Sequence, residues 1–363
     1  MIESPLPPPP LVGGRALPGP VFLAPVAGFS DRPFRSVCLA WGADLCYTEM
    51  VSAEALVRDS KKTAELLERA DGETRYAVQL FGSKPDRMAA AAAIASRWKP
   101  ELIDINAGCP VPKVIKTGAG SALMKDPGLI RSIVKAMAES SDIPITVKFR
   151  LGWDEGNRTF IEFAHAAVEG GAAALTLHAR TRAQGYSGQA DWSAIAELKR
   201  AAASGALGRQ VPVFASGDVF SAGDALRLFR ETLCDAIMVA RGAIGNPFIF
   251  KAIKELAASG RAWAPSAAER ARTLLSHLDG AVSAYGERSA CIEFLKHFCA
   301  YTKGIQGGAE LRREGIQASS RADYFRLAEK LETLGDAAEQ GAPFRRDEDE
   351  AVPGEALADR ELT

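Results

Sequence analysis

The chain has 363 residues, of which 47% are hydrophobic and 25% charged, and its formal net charge is -1. This composition is ordinary for a folded protein and excludes a mostly disordered chain. Because no apolar run reaches the ~18 residues of a membrane-spanning helix and no signal peptide begins the chain, we expect a cytoplasmic protein without a membrane partner. A near-neutral chain also argues against a nucleic-acid partner, which usually demands a basic surface.

The chain begins with an irregular, proline-rich leader over residues 1–19, in which Pro7 to Pro10 stand in a row. Short apolar runs then alternate with polar turns and helical stretches. Runs that are apolar throughout are typical of parallel strands buried on both faces. The eight runs are Val21–Ala27, Leu45–Val51, Tyr76–Phe81, Leu102–Asn106, Ile145–Arg150, Ala174–Ala179, Val211–Ala215 and Ala236–Ala240.

Helices are predicted between these strands. Asp126-Pro127 is a good N-cap and first-turn pair, Ser221 is an N-cap candidate, and Gly170-Gly171 can stop a helix. Eight alternations predict an α/β protein with a closed (β/α)₈ TIM barrel over residues 20–258. The alternative is a doubly wound sheet, but its G-x-G-x-x-G fingerprint does not follow the first strand. The predicted helices are Pro85–Arg97, Asp126–Ser140, Phe160–Glu169 and Ser221–Phe229.

Past the barrel, residues 259–335 contain no convincing strand, and we expect a small all-helical C-terminal domain there. Its predicted helices are Ala267–Tyr285, Ser289–Tyr301 and Arg321–Leu334. Residues 336–363 form an acidic tail, expected to be disordered, with nine acidic and three basic residues, whereas the rest of the chain has 41 basic and 36 acidic residues. The tail therefore masks a folded part with a net charge of +5, which weakens the argument against an RNA partner.

Polar groups follow several apolar strands, at the end where such barrels carry their active sites. Singly, each could be a satisfied core group or part of a salt bridge, but together they indicate a site. Glycine in the turn 216–218 allows close backbone approach and Arg241 supplies a cation, so the last two strands are candidates to hold a phosphate. Gln79 and Lys148 could bond to a flat heterocycle. This combination suits FMN.

Cys109 differs from the other cysteines because it lies on a polar, glycine-containing loop after the fourth strand. A thiol there could be a nucleophile or a general acid. The general acid fits at least as well, because a thiol near its usual pKa of ~8.5 is protonated at pH 7. The other five are expected to be small core residues. None of the six cysteines forms a C-x-x-C pair, and no metal site is predicted.

Six segments carry these groups: Ala24-Pro25-Val26-Ala27-Gly28 with Ser30-Asp31, Gln79-Leu80-Phe81-Gly82, Asp104-Ile105-Asn106-Ala107-Gly108-Cys109-Pro110, Val147-Lys148-Phe149-Arg150-Leu151-Gly152-Trp153, Leu177-His178-Ala179-Arg180-Thr181-Arg182 and Ser216-Gly217-Asp218-Val219. Together they resemble the tRNA-dihydrouridine synthase family, in its bacterial, FMN-dependent form. The resemblance covers residues 20–335. The loop around Cys109 and the segment around His178 are its most specific motifs.

The resemblance implies that the barrel binds FMN, that NADPH (or NADH) reduces the flavin, and that N5 of the reduced flavin gives a hydride to C6 of a uridine in tRNA. Cys109 would give the proton to C5. The implied cofactor-binding residues are Pro25, Val26, Ala27, Gln79, Lys148, His178, Ser216, Gly217, Asp218, Ala240 and Arg241. The candidate substrate-binding residues are Asn106, Arg180 and Arg182 at the barrel and, as phosphate contacts on the helical domain, Lys296, His297, Arg312 and Arg313.

Three positions depart from the family pattern. The family often has Met where this chain has Val26, Asn where it has Ser216 and Gly where it has Ala240. These changes surround backbone contacts and put in doubt only a side-chain hydrogen bond from position 216. Two other functions stay open, an FMN-barrel oxidoreductase acting on a small molecule or on uridine in ribosomal RNA, and a non-catalytic RNA-binding module. We expect a monomer.

Overall fold

The computed structural model describes residues 6–338 and contains a closed barrel of eight parallel strands, in the order β10-β3-β4-β5-β6-β7-β8-β9. The predicted fold class is confirmed. The strands are β1 (Leu11–Val12), β2 (Arg15–Ala16), β3 (Val21–Leu23), β4 (Leu45–Ser52), β5 (Ala77–Phe81), β6 (Leu102–Ala107), β7 (Ile145–Arg150), β8 (Ala174–His178), β9 (Val213–Ser216) and β10 (Ala236–Val239).

Helices surround the barrel and continue beyond it. They are α1 (Arg32–Ala40), α2 (Ala53–Val57), α3 (Lys61–Glu65), α4 (Pro85–Ser96), α5 (Pro112–Ile115), α6 (Pro127–Glu139), α7 (Phe160–Glu169), α8 (Trp192–Ser204), α9 (Ala222–Thr232), α10 (Ile249–Ser259), α11 (Ala267–Tyr285), α12 (Glu287–Tyr301), α13 (Gly308–Gly315) and α14 (Arg321–Ala338), with 3₁₀ turns at Gly120–Lys125 and Arg241–Ala243. Helix α14 includes the first three residues of the predicted tail, and residues 339–363 lie outside the described part.

Local signals in the sequence set several helix ends. The Asp126 side chain accepts a hydrogen bond from the Leu129 backbone N–H at 2.9 Å, and Ser221 caps α9 by accepting from the Asp224 N–H at 3.1 Å. Gly170 follows the last residue of α7. These caps satisfy backbone donors that a helix start leaves without partners. The predicted N-caps and the helix stop are confirmed.

The leader is more regular than predicted, because β1 and β2 form an antiparallel hairpin. Gly13 and Gly14 connect them with φ of 54° and 82°, the left-handed geometry that two-residue hairpins require. Val12 and Leu17 join the buried cluster of the barrel interior, which also contains Phe22 and Phe214. The hairpin thus closes the end of the barrel at which the strands begin.

The C-terminal helices pack directly on the barrel. Trp41, at the end of α1, donates from Nε1 to Thr273 Oγ1 on α11 at 3.1 Å, and its ring lies 4.7 Å from the ring of Phe248. On the same side, Phe34 stacks on His277 with ring centroids 5.4 Å apart. The predicted helical domain is therefore joined to the barrel through a buried aromatic seam.

All six cysteines are free thiols, and Cys299 is half-buried rather than fully buried as predicted. Within residues 6–338, no group of three histidine, cysteine, aspartate or glutamate side chains is placed to hold a metal ion. No helix in the same range is long and apolar enough to cross a membrane.

The junction between barrel and helices depends on Gly245, where a Cβ would stand 2.2 Å from the backbone carbon of Ala300. We expect Gly245→Ala to lower the free energy of unfolding by about 3 kcal/mol, from overlap plus left-handed strain. Gly260 is a matched control, because it has the same φ of +68° and open space around it. Its replacement by Ala should cost only about 1 kcal/mol. Equal losses in urea unfolding would contradict the proposed close approach.

Candidate active site at the carboxyl ends of the strands

A cavity of about 1780 Å³ opens where the barrel strands end, and α11 and α12 supply part of its wall. It gathers residues that are distant in sequence, as the parallel barrel requires. Most of the predicted site lines this cavity, namely Pro25, Val26, Ala27, Gln79, Asn106, Cys109, Lys148, His178, Ser216, Gly217, Asp218, Ala240, Arg241, Lys296 and His297.

The loops after β9 and β10 form the part of the cavity best suited to an anion. Gly217 has φ of 129°, and a Cβ there would stand 2.9 Å from that of Ala190, so glycine is required. A Cβ at Gly242 would likewise stand 2.0 Å from the Val219 carbonyl oxygen. The two glycines let the backbone approach a ligand closely, and Arg241 adds a cation.

The Asp218 carboxylate is directed to arginines rather than toward a ligand. Both of its oxygens accept from Nη2 of Arg180 at 2.8 Å, and one also accepts from the Ala190 N–H at 2.7 Å. Nη2 of Arg241 lies 3.3 Å from the same carboxylate. Because two guanidinium groups face one carboxylate, this end of the cavity keeps a net positive charge.

Arg180 does not line the cavity, so the prediction that it contacts the substrate is wrong. Its side chain is buried and donates to the carbonyl oxygens of Ser187 and Gly188 at 3.1 and 2.7 Å. Arg180 therefore fixes the loop after β8 against Asp218. Arg182 also lies outside the cavity lining and stands over the Trp153 ring at 4.5 Å.

Tyr186, on this same loop, lines the cavity and was not predicted. Its ring is 45% exposed and lies 5.1 Å from the Arg241 guanidinium and 5.6 Å from that of Arg150. An exposed aromatic ring among cations suits contact with a planar ligand. In the sequence, Tyr186 could have been identified only as an aromatic residue in a short segment between Gly185 and Gly188.

Cys109 is half-buried at the end of β6, in a loop held from two sides. Asn106 Oδ1 accepts from the backbone N–H groups of Gly108 and Cys109 at 3.1 and 2.9 Å, while Arg150 Nε donates to the Gly108 carbonyl oxygen at 2.7 Å. Burial raises the pKa of the Cys109 thiol, against smaller lowering effects from a hydrogen bond with the Val111 backbone and from Arg150 and Lys148. The thiol therefore keeps its proton at neutral pH, as a general acid must.

Lys148 and His178 face the cavity beside Cys109. Burial, with help from Arg150, lowers the pKa of Lys148 to about 8. Burial and the surrounding cations hold the pKa of His178 well below its usual value, so its ring is neutral. His178 Nε2 is buried and has no hydrogen-bond partner among the described residues. Buried polar atoms normally have a hydrogen-bond partner, so His178 Nε2 is available to a ligand atom or a water molecule in the cavity.

On the helical side, Lys296 lines the cavity, and its Nζ lies 5.4 Å from the Phe29 ring. The prediction that His297 contacts a phosphate is wrong. The side chain is 4% exposed, and burial holds its pKa well below the usual value, so the ring is neutral. Arg312 donates to the Thr302 carbonyl oxygen at 3.0 Å, and Arg313 is exposed. Neither arginine lines the cavity.

The fold and the site together define a (β/α)₈ barrel protein with a cavity at the carboxyl ends of its strands, which is lined by several cations and the Cys109 thiol and walled partly by helices. Residues 22–339 match the family model for dihydrouridine synthase (Dus), and the chain belongs to this family. The predicted family resemblance is confirmed.

Curated relatives agree in length as well as in sequence. A probable tRNA-dihydrouridine synthase from Treponema pallidum is 45% identical over 86% of this chain and 93% of its own. A tRNA-dihydrouridine synthase B from Pasteurella multocida is 36% identical over 83% of this chain and 89% of its own. Among solved structures, a 2-naphthoyl-CoA reductase shares the fold at a TM-score of 0.54 and 12% identity, over 70% of this chain and 52% of its own.

The buried ion pair behind the cavity gives a stability prediction. Arg180→Met should lower the free energy of unfolding by about 2–3 kcal/mol, because it leaves Asp218 without its main partner. The matched control is Arg158→Met, which breaks the more exposed pair with Asp191 and should cost less than about 1 kcal/mol. Urea unfolding of both variants measures the difference. Similar losses would show that burial adds nothing to the Arg180 pair.

Proposed function

We propose that this protein is an FMN-dependent, NADPH-driven (or NADH-driven) enzyme that reduces the C5–C6 double bond of specific uridines in tRNA, giving 5,6-dihydrouridine. The observation that carries the proposal is the position of Cys109 in the lining of a cavity that Lys148, Arg150 and Arg241 also line. Its family and its curated relatives support the same reaction. A cytoplasmic location and a monomeric state stay predictions.

The residues of the cavity fit FMN. The ribityl phosphate would lie against the backbone of Ser216, Gly217 and Ala240, with Arg241 as its cation; the glycine at 217 leaves room that a Cβ would fill. Asp218 would act indirectly, by holding Arg241. The isoalloxazine would lie against the backbone of residues 25–27, with Gln79 and Lys148 as polar partners. The buried, partnerless Nε2 of His178 is an atom that such a ligand can satisfy.

Reduction of uridine needs a hydride at C6 and a proton at C5, and bound, reduced flavin supplies the hydride. Cys109 holds the proton on Sγ, and burial keeps it there until the uracil arrives. Asn106 lies near the end of β6, just before the loop that carries Cys109, and would help to place the base. The neutral His178 and the Lys148 ammonium would put no negative charge beside the reacting base.

A uracil within folded RNA cannot reach the end of a barrel, so the nucleotide must be extruded into the cavity. The α11–α12 wall extends the cavity beyond the barrel and presents Lys296 to the RNA. Arg312 and Arg313 stay candidates for phosphate contacts farther along the helices. A small-molecule reductase needs no such extension. The helical wall therefore favours RNA over a small substrate.

Cys109→Ala tests the chemistry. With unmodified tRNA transcript and NADPH, we expect dihydrouridine formation, mapped by mass spectrometry, to fall by about 10²–10⁴-fold, because the general acid is lost. Flavin reduction by NADPH should stay within twofold of the native rate, since that step needs no proton from Cys109.

Cys299→Ala is the control, because Cys299 is also half-buried but lies on α12. It should form dihydrouridine at the native rate. Normal dihydrouridine formation by Cys109→Ala would refute the general-acid role. Turnover of free uridine or ribosomal RNA in preference to tRNA would refute the proposed substrate.

Lys148→Met tests the cofactor site. Loss of one charge-assisted contact should weaken FMN binding to the apoprotein by about 10–100-fold, measured by quenching of FMN fluorescence. Because the pKa of Lys148 is about 8, native affinity should fall as the pH rises above 8 and the ammonium loses its proton. The variant should lack this pH dependence. Lys199→Met, which removes a lysine paired with Asp235, should bind FMN normally.

A further inference from the structure

A row of polar side chains crosses the barrel interior just below the cavity. Asp104 and Asn106 are two residues apart on β6, so their side chains leave the same face of the strand. Gln79 on β5 and Thr146 on β7 are each paired in register with Asp104. Asp104, Gln79 and Thr146 are all buried.

These side chains form one continuous chain of hydrogen bonds that ends at Cys109. Asp104 Oδ1 accepts from Thr146 Oγ1 at 2.6 Å, and Asp104 Oδ2 accepts from Gln79 Nε2 at 2.7 Å. Gln79 Oε1 accepts from Asn106 Nδ2 at 2.8 Å. Asn106 Oδ1 accepts from the Cys109 backbone N–H at 2.9 Å.

The direction of this chain is determined at both ends. An ionised carboxylate can only accept hydrogen bonds and a backbone N–H can only donate them, whereas each amide between them could be turned by 180°. With Asp104 at one end, Gln79 must present Nε2 to it and Oε1 to Asn106. Asn106 then presents Oδ1 to the Cys109 loop. A reversed Asn106 would set its Nδ2 group against two backbone N–H donors.

We propose that Asp104 is a positioning residue for Cys109: by accepting from Gln79 it fixes, from the far end of the chain, the amide orientation that the N–H groups of the Cys109 loop need, and so holds the loop that carries the thiol. The inference rests on the proposed function only in taking Cys109 as the proton donor. Asp104 itself does not line the cavity.

The chemistry of the site supports a role beyond packing. Burial raises the pKa of Asp104 to about 6, against lowering effects from the Gln79 and Thr146 hydrogen bonds and from Lys148. A buried carboxylate is costly, and an uncharged side chain of similar size would fill the same space at lower cost. What the uncharged side chain lacks is the acceptor-only character.

The test compares Asp104→Asn with Thr146→Val in the apoprotein. The asparagine can donate or accept, so the amide orientations are then set from the Cys109 end alone and the Cys109 loop should loosen. We expect the rate of Cys109 alkylation by iodoacetamide, followed by peptide mass spectrometry, to rise at least threefold. Cys299 in the same sample should react at the native rate. Thr146→Val removes a hydrogen bond of Asp104 at the same depth but leaves Gln79 in place, and Cys109 should react as in the native protein.

With FMN, NADPH and tRNA, Asp104→Asn should form dihydrouridine at least tenfold more slowly, mainly through kcat. Equal alkylation rates in Asp104→Asn and native protein, or equal increases in Asp104→Asn and Thr146→Val, would overturn the proposal. If the asparagine variant does not fold, Asp104→Ser poses the same question, because a hydroxyl also donates or accepts. The alkylation readout needs neither flavin nor RNA, so its outcome is independent of the proposed reaction.

Discussion

Closure of eight parallel strands into one ring is the constraint on which the rest of this structure depends. Each strand is buried on both faces, so charged side chains find room mainly at strand ends, and parallel strands bring their carboxyl ends to one rim. Lys148, His178 and Arg241 therefore share one cavity although they are distant in sequence. At the other end, the β1–β2 hairpin adds Val12 and Leu17 to the apolar barrel interior.

The cavity combines cations with a thiol that keeps its proton. Arg150 and Lys148 by themselves would favour a thiolate at Cys109, which would be a nucleophile. Burial opposes them and has the larger effect on the pKa of the thiol. The same burial keeps His178 neutral. Solvent exclusion around Cys109 therefore favours the protonated thiol over the thiolate in spite of the two neighbouring cations.

The C-terminal helices are part of the site rather than an appended unit. Residues of α11 and α12 line the cavity, and the aromatic seam between Phe34 and His277, with the Trp41–Thr273 hydrogen bond, fixes these helices against α1. The buried, neutral His297 belongs to this seam, which is why it cannot serve as a phosphate contact. Lys296, its neighbour in sequence, lines the same cavity. These contacts hold the helical wall of the cavity against the barrel.

The barrel, several helix caps and the strand-end groups could be predicted from the sequence, because apolar strands of this length and their flanking polar residues are local patterns. The sequence did not determine which charges face each other. Arg180 and Arg241 are both strand-end arginines by pattern, yet one is buried behind Asp218 and the other lines the cavity. The contacts of Tyr186 and the hydrogen bonds of Asp104 were equally hidden, since both depend on neighbours from other strands. Side-chain partners across a barrel are set by strand register and burial, and only the tertiary structure decides these.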